Sequence, residues 1–183
     1  MTPNTPIAIP CLVVLVGPPG SGKSTWARQN CSGAVQVSQD DLIDAITPGG
    51  FAHVYRPVYR QAEDAIARTA LRASQTVIVD RTNRTRTHRE RWLAVAREER
   101  CPALAVVMST SQDLCRERNA KREGNRRVGD ERMERMFAAF EPVQPDEGFT
   151  AVYFEKGVGT GIGLIEILTV KEQLFNEYCH KAR

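Results

Sequence analysis

The chain has 183 residues, 42% of them hydrophobic and 26% charged, which is an ordinary globular composition and excludes a disordered polyelectrolyte. At roughly 100–200 residues per domain, this length predicts a single domain. The net charge of +3 is too small to indicate nucleic-acid binding by itself, and apolar runs such as Cys11–Val16 are far shorter than the roughly 20 residues of a membrane span.

Short apolar runs alternate along the chain with segments rich in Ala, Arg and Glu. The apolar runs predict strands at Cys11–Val16, Ala34–Val37, Thr76–Asp80, Pro102–Met108 and Phe149–Glu155. The other segments predict helices that begin at Thr25 and span Asp41–Ile46, Pro57–Ser74, Thr87–Arg100, Gln112–Glu123, Asp130–Phe140 and Lys171–Lys181. Thr87 and Glu90 have capping-box spacing, which predicts the start of the fourth helix. The alternation predicts one α/β domain over residues 11–183, with a mainly parallel five-stranded sheet and helices on both faces.

The remaining segments give expectations about the kind of protein. Residues 1–10 contain no Lys or Arg and no long apolar core, so they predict a flexible lead and no secretory signal. The glycines of 157–163 lack GxGxxG spacing and predict a flexible connector. Five scattered cysteines without a CxxC pair indicate neither a disulfide framework nor a zinc site. We therefore expect an intracellular protein with reduced thiols.

The strongest motif is Gly17–Ser24, whose sequence GPPGSGKS fits GxxxxGK[ST] and follows a predicted strand directly. The N–H groups of such a loop point at a phosphate, and the next helix aims its positive end at the same anion. Lys23 reaches the β- and γ-phosphates, and Ser24 supplies an oxygen to Mg²⁺. The motif predicts that ATP and Mg²⁺ bind at Gly17, Gly20, Ser21, Gly22, Lys23, Ser24 and Thr25.

Asp40 comes at the end of the second predicted strand. Ligands of open α/β sheets bind at this end of the strands, so Asp40 is a candidate base for the proton of an attacking hydroxyl. The alternative is helix capping by Ser38 or Asp40, with Asp41 in the first turn.

Asp80 ends the strand TVIVD and resembles a Walker-B acid, which holds Mg²⁺ directly or through water. A capping or loop acid is the alternative. Thr82 and Asn83 follow immediately, and they either line the site or serve only the loop before the next helix.

Arg118 and Arg122 are four residues apart, so they share one face of a predicted helix. Two guanidiniums on one face suit a helical lid, over about residues 112–130, that clamps phosphate oxygens. Nearby Glu117 and Glu123 allow a solvated helix instead. Charge is concentrated in this part of the chain, since residues 116–135 contain eight basic and five acidic residues and residues 81–100 contain seven Arg and three Glu. Both a solvated surface and an anion-binding surface fit that pattern.

Other side chains carry weaker signals. Three aromatic residues offer either a stacking face for a nucleobase or packing, namely Phe51, Tyr55 and Tyr59. The two tryptophans are predicted to be core residues, Trp26 and Trp92. The histidines lack metal-ligand spacing and are predicted to be surface residues, namely His53, His88 and His180.

Four motifs in the same order over residues 11–140 resemble the polynucleotide 5′-kinases. The P-loop segment Gly20–Arg28, the Asp40-Asp41 pair and the RNAKR sequence of Arg118–Arg122 resemble the phage-type enzymes. Asp80–Asn83 (DRTN) is similar to the DxTN motif of the bacterial and animal polynucleotide kinase domains. No useful match is visible beyond about residue 145, and no DxDGT phosphatase motif or ligase motif is seen.

The resemblance implies a P-loop kinase that moves the γ-phosphate of ATP to the 5′-hydroxyl end of DNA or RNA. It implies that Asp40 is the general base and that the transferring phosphate is engaged by Lys23, Arg118 and Arg122. Asp80, Thr82 and Asn83 would line the junction between donor and acceptor. Ile43 stands where the phage-type pattern has an Arg that grips the substrate phosphate. Acceptor binding is therefore expected to use other arginines, namely Arg56, Arg60, Arg81, Arg84 or Arg86.

Two other functions remain open at this point. The first is a kinase of the same fold that acts on the hydroxyl of a sugar, nucleoside or antibiotic. The second is a nucleotide-dependent switch or binding module, which needs no base for an acceptor.

Overall fold

The computed structural model describes residues 10–30, 33–47 and 49–155. The predicted lead over residues 1–9, the glycine-rich connector and the terminal helix lie outside these residues. The described strands are β1 (Leu12–Val16), β2 (Ala34–Ser38), β3 (Thr76–Asp80), β4 (Ala103–Met108) and β5 (Ala151–Glu155). The described α-helices are α1 (Lys23–Asn30), α2 (Gln39–Ile46), α3 (Arg56–Arg72), α4 (Arg86–Glu98), α5 (Gln112–Ala120) and α6 (Asp130–Ala138). Short 3-10 turns are at His53–Tyr55, Gly124–Arg126 and Pro145–Glu147.

The five strands form one sheet in the order β2-β3-β1-β4-β5, and every pairing is parallel. β1 is in the middle, with Leu12 opposite Val77 on one side and Ala103 on the other. All five residues of β1 are buried, as expected for a central parallel strand made of Leu and Val. The predicted parallel sheet is confirmed, and the loop after β1 opens at the centre of its carboxyl edge.

Alternate residues of β1 pack into two separate cores. Leu12 belongs to a core that includes Leu71 of α3 and Trp92 of α4. Val13 belongs to the opposite core, with Trp26 of α1. Because successive strand side chains point to opposite faces, this division places helices on both faces of the sheet. Both tryptophans are core residues, as predicted. Within the described residues, no helix is both long and apolar enough to cross a bilayer.

The N-cap of helix α4 lies two residues earlier than the capping-box spacing predicts. The cap is Thr85, whose hydroxyl oxygen accepts the His88 N–H at 3.3 Å. Thr87 is exposed within the first turn. The prediction was wrong because the sequence offers two threonines two residues apart, and spacing alone does not say which one takes the extended conformation that a cap requires.

Two further boundaries differ where candidate residues lie. Asp40 is the second residue of α2, not the end of a strand, because Ser38 is extended and caps the helix. Helix α5 was predicted to run to Glu123, but it ends at Ala120, so Arg122 lies beyond the observed helix. The Arg122 N–H bonds to the Asn119 carbonyl in a tighter turn at 3.1 Å. The Asn119 amide exchanges two hydrogen bonds with the Val128 backbone, which turns the chain back.

Candidate active site

The loop between β1 and α1 forms a cradle whose shape depends on glycine. Gly20 has a φ of +80°, and a Cβ there would lie 2.3 Å from the carbonyl oxygen of Cys115 in α5. Gly22, just before α1, has a φ of +101°. The Thr110 hydroxyl donates to the Ser21 carbonyl at 2.8 Å and fixes the loop from the side of β4. A main-chain loop that is held in this way at a helix N-terminus suits a phosphate group.

Lys23, the first residue of α1, is buried beneath the cradle. Its ammonium donates to the Pro18 carbonyl at 2.8 Å and to the Ser21 hydroxyl at 3.4 Å. Burial lowers the pKa of Lys23 to about 8, although nearby Asp80 opposes the shift and Arg122 adds to it. A buried ammonium that has lost hydration gains from a nearby anion, so this site fits the polyphosphate of a nucleotide.

Ser24 and Asp80 meet where β1 and β3 end. The Ser24 side chain hydrogen-bonds the Asp80 carboxylate, and the Gln36 amide donates to the same carboxylate at 3.2 Å. Burial raises the pKa of Asp80, while Ser24 and the Lys23 charge oppose the shift. A hydroxyl beside a carboxylate is the oxygen pair that P-loop proteins offer to Mg²⁺. In the described ranges no three His, Cys, Asp or Glu form a metal cluster, so Mg²⁺ would also need phosphate and water oxygens.

Asp40 lies on the same edge of the sheet, in the first turn of α2. It is exposed, and it is close enough to Lys23 and Asp80 to raise the pKa of each of them. Ser38 caps the helix by accepting the Asp41 N–H at 3.3 Å. Among the described residues nothing hydrogen-bonds the Asp40 carboxylate. The capping role thus falls to Ser38, and Asp40 is left available to accept a proton.

The two lid arginines lie beside the cradle although α5 ends between them. Arg122 is close enough to lower the pKa of Lys23. Burial raises the pKa of Cys115, whose carbonyl faces Gly20, and Lys23 and Arg118 oppose that shift. In the part of the chain that the structure describes, neither arginine makes an ion pair or a side-chain hydrogen bond. Both guanidiniums can therefore engage phosphate oxygens.

The loop after Asp80 is fixed against the cradle. Asn83 is buried, with a φ of +42°, and its amide donates to the Leu15 carbonyl at 2.8 Å. The Gly17 N–H donates to the Thr82 carbonyl at 3.0 Å. These bonds give Asn83 the loop-holding role that the sequence left as its alternative, and they place Thr82 next to the phosphate-binding loop.

Arg81 and Arg84 lie near arginines that come from a different part of the sequence, at the start of α3. Arg81 pairs with buried Glu63 at 2.6 Å. The Nε atom of Arg84 is buried and finds no hydrogen-bond partner among the described residues. Burial lowers the pKa of His88, and both arginines lower it further. From the sequence, His88 is predicted to be only a surface residue. The signal that could have placed it among these arginines is the large number of arginines near it in the sequence.

An open cleft of about 510 Å³ lies between the end of α2 and the start of α3. Its lining includes Ile46, Phe51 and Tyr55. Phe51 is 44% exposed and Tyr55 is 45% exposed, whereas Tyr59 is fully buried. Tyr59 therefore packs in the core, whereas the other two aromatic side chains remain partly exposed, and the Phe51 ring also contacts the rings of His53 and Tyr59.

A contact that the sequence did not predict joins the lid to α2. Arg126 donates to Asp41 at 3.0 Å and to Asp44 at 2.8 Å. The pairing spans 85 positions of sequence, so no local pattern indicates it. It joins the segment after α5 to the helix that carries Asp40.

Comparisons with known proteins agree with this geometry. A family model described as an AAA domain matches residues 12–143, well over half of the chain. The bifunctional polynucleotide phosphatase/kinase of Schizosaccharomyces pombe is 27% identical over 146 residues, covering 77% of this chain and 32% of that protein. The chain thus spans about a third of the length of that curated relative.

Two solved structures show the fold. A putative kinase from Chloroflexus aurantiacus has a TM-score of 0.69 at 18% identity, over 93% of this chain and 98% of that one. A chain of the Pnkp1/Rnl/Hen1 RNA repair complex has a TM-score of 0.63 at 22% identity, over 76% of this chain and 46% of that one. The chain therefore belongs to the AAA domain family, as the family model shows, and it has the fold of a P-loop kinase, as these structures show.

Proposed function

We propose that the protein is a kinase that transfers the γ-phosphate of ATP to the 5′-hydroxyl end of a polynucleotide. The observation that carries this proposal is the position of Asp40. Its carboxylate shares one electrostatic neighbourhood with Lys23 and Asp80. A base that is placed beside a phosphate-binding loop suits transfer to an alcohol, whereas a nucleotide-dependent switch needs no such base.

The donor side of the reaction uses the cradle. Its N–H groups and Lys23 would hold the β- and γ-phosphates. Ser24 and Asp80 are the groups that would hold Mg²⁺, which offsets phosphate charge when it is bound. In this arrangement the protein contributes position and charge, which supply most of the rate in phosphoryl transfer.

The acceptor side uses Asp40. Its carboxylate takes the proton of the attacking hydroxyl while the acceptor oxygen forms a bond to the γ-phosphorus. The bond from that phosphorus to the β–γ bridging oxygen breaks, and ADP leaves with the electron pair. Arg118 and Arg122 offset the negative charge that spreads over the transferring group.

The polynucleotide acceptor is supported by three observations. The four motifs resemble polynucleotide kinases, and the Schizosaccharomyces pombe relative is described as a polynucleotide phosphatase/kinase. Phe51 and Tyr55 line the cleft, and Arg56 directly follows Tyr55 in the chain. The aromatic side chains therefore adjoin a positive charge. Stacking combined with cationic contacts is how single-stranded nucleic acids are held without base-specific recognition.

One observation favours a second candidate, a kinase for a small molecule. Ile43 occupies the position at which the phage-type pattern has a phosphate-gripping Arg. An acceptor without a phosphate, such as a sugar, would not need that arginine.

The experiment is an acceptor screen with γ-labelled ATP and Mg²⁺. We expect labelled product with 5′-hydroxyl DNA or RNA oligonucleotides, and none with the same oligonucleotides carrying a 5′-phosphate. Label transferred only to sugars or nucleosides would support the second candidate. Slow phosphate release with no labelled acceptor would reject both kinases in favour of a switch.

A further inference from the structure

Four arginines and one histidine lie together beside the carboxyl end of β3. They come from the start of α3, the loop after Asp80 and the first turn of α4. We call them the arginine cluster, which is Arg56, Arg60, Arg81, Arg84 and His88. Burial lowers the pKa of His88, and all four arginines of the cluster lower it further. The five groups therefore share one electrostatic neighbourhood.

The charge of the cluster is only partly balanced. Buried Glu63 pairs with Arg81 at 2.6 Å and with Arg91 at 2.8 Å. Asp64 pairs with Arg91 at 2.8 Å. Two carboxylates are thus matched by two arginines. Three other guanidiniums have no acidic partner among the described residues, those of Arg56, Arg60 and Arg84.

Arg84 has an unused donor. Its Nε is buried and has no hydrogen-bond partner within the described ranges of the chain. A buried donor without an acceptor costs free energy, and a ligand oxygen would remove that cost. Arg56 and Arg60 are exposed, so an anion can approach the cluster from solvent.

The cluster lies on the edge of the sheet that carries the candidate active site. Thr82, between Arg81 and Arg84, accepts a hydrogen bond from Gly17 of the cradle at 3.0 Å. Helix α3 contacts α2, which carries Asp40, through a 2.6 Å hydrogen bond between the hydroxyls of Tyr59 and Thr47. The loop that carries Arg81 and Arg84 therefore lies against the cradle, on the same edge of the sheet as Asp40.

We propose that the arginine cluster binds the phosphate that follows the accepting hydroxyl in a nucleic-acid end. This inference rests on the proposed function above. Arginine forks match phosphate oxygens and keep their charge at all relevant pH values. The cluster would supply, from α3 and from the loop between β3 and α4, the phosphate contact that Ile43 cannot supply from α2.

The test follows His88 in protein labelled with ¹⁵N-histidine, without ATP. Thymidine 3′-monophosphate is expected to move the ring signals of His88 and to raise its pKa, because the phosphate offsets the arginine charge. Thymidine is expected to move neither. Arg84→Gln should weaken binding of the monophosphate by roughly tenfold, the usual effect of losing one charged hydrogen bond.

Two further variants make the result specific. Arg60→Gln changes an exposed residue and keeps the test informative if Arg84→Gln does not fold. Arg135→Gln removes the same charge from an exposed position of α6 that pairs with Glu131, and it should bind like the wild type. Equal binding by Arg60→Gln and Arg135→Gln would overturn the inference. Inorganic phosphate binding as tightly as the nucleotide would overturn it too, since the cluster would then be a site for free phosphate.

A kinetic experiment separates this inference from the proposed function. In Arg60→Gln we expect the KM for thymidine 3′-monophosphate to rise roughly tenfold while the KM for ATP is unchanged. Transfer that is unaffected by this variant would overturn the inference and leave the kinase in place. A wild type that phosphorylates no nucleic acid but still shifts His88 with the monophosphate would remove the proposed kinase and support the anion site.

Discussion

Folding buries the ammonium group of Lys23, and this burial favours its neutral form. Its pKa is lowered to about 8, mainly because burial removes the hydration of the ammonium. The unfolded chain keeps the ordinary value of 10.5, so between these two pH values the unfolded state binds more protons than the folded state. The folded protein therefore gains stability as pH rises from about 8 to 10.5, and at neutral pH it carries the full cost of a buried cation.

Lys23→Met should stabilise the protein without nucleotide at pH 7 by about 1–3 kcal/mol, because each pKa unit corresponds to about 1.4 kcal/mol. The gain should shrink as the pH is raised above about 8, and ATP binding should be lost. Urea unfolding over a pH series measures this difference. Lys121→Met is the matched control, because Lys121 is 71% exposed and pairs with Glu117. A Lys23→Met protein that is less stable than the wild type at pH 7 would contradict this electrostatic account.

The candidate residues that could be predicted from the sequence are those whose roles depend on their immediate neighbours along the chain. Lys23 and Ser24 follow from loop spacing, and Asp80 follows from its place after an apolar strand. The Arg126 contact to Asp41 and Asp44 joins positions far apart in sequence, and the Asn83 bond to Leu15 depends on how two strands meet. Neither leaves a periodic pattern, so both needed the structure.

At the scale of elements, one buried ion pair connects α4 to the segment before β5. Arg89 and Glu147 have fully or almost fully buried side chains and make two hydrogen bonds of 2.6 Å. Arg89 also donates to the carbonyls of Asn83 and Glu141. Burial raises the pKa of Glu147, but the bonds from Arg89 and the Gln144 backbone outweigh it, so the net shift is downward. Through these bonds the pair fixes the loop between β3 and α4, which contributes Asn83 to the candidate site.

Arg89→Met should destabilise the protein by about 3–5 kcal/mol at pH 7, because Glu147 would be left buried without its partner. The double variant Arg89→Met/Glu147→Leu should lose less. The contribution of Glu147 should disappear as the pH falls below the ordinary glutamate value of 4.5, since its folded pKa is lower than its unfolded one. Chemical unfolding measures all three effects. A loss below about 1 kcal/mol for Arg89→Met would show that water replaces the pair without cost.

Element types were predictable and some element ends were not. Apolar runs, and the segments rich in Ala, Arg and Glu between them, predicted every described strand and α-helix, because a buried parallel sheet alternates apolar strands with amphipathic helices. The ends failed where two caps competed, as at Thr85 and Thr87. They also failed where a distant contact stopped a helix, as Asn119 and Val128 do after α5.

At the scale of the whole molecule, the alternation of strands and helices predicted the parallel sheet but not the strand order. The order β2-β3-β1-β4-β5 places the ends of β1, β2 and β3 side by side. Cradle, Asp80 and Asp40 come together for that reason, although they are spread over about sixty residues of sequence. The excess of arginine in residues 81–100 can be interpreted only from the structure. Part of it lies with Arg56 and Arg60 in the arginine cluster around His88.

The most direct test of the account compares Asp40→Ala with the wild type in two measurements, transfer of label from ATP to a 5′-hydroxyl oligonucleotide and affinity for ATP. General-base catalysis contributes about 10²–10⁴-fold to rate, so transfer should fall by at least about 100-fold while ATP affinity stays close to that of the wild type. Asp146→Ala, which removes an exposed acid paired with Arg86, should retain both. Transfer at the wild-type rate by Asp40→Ala would contradict the central claim that this carboxylate receives the acceptor's proton.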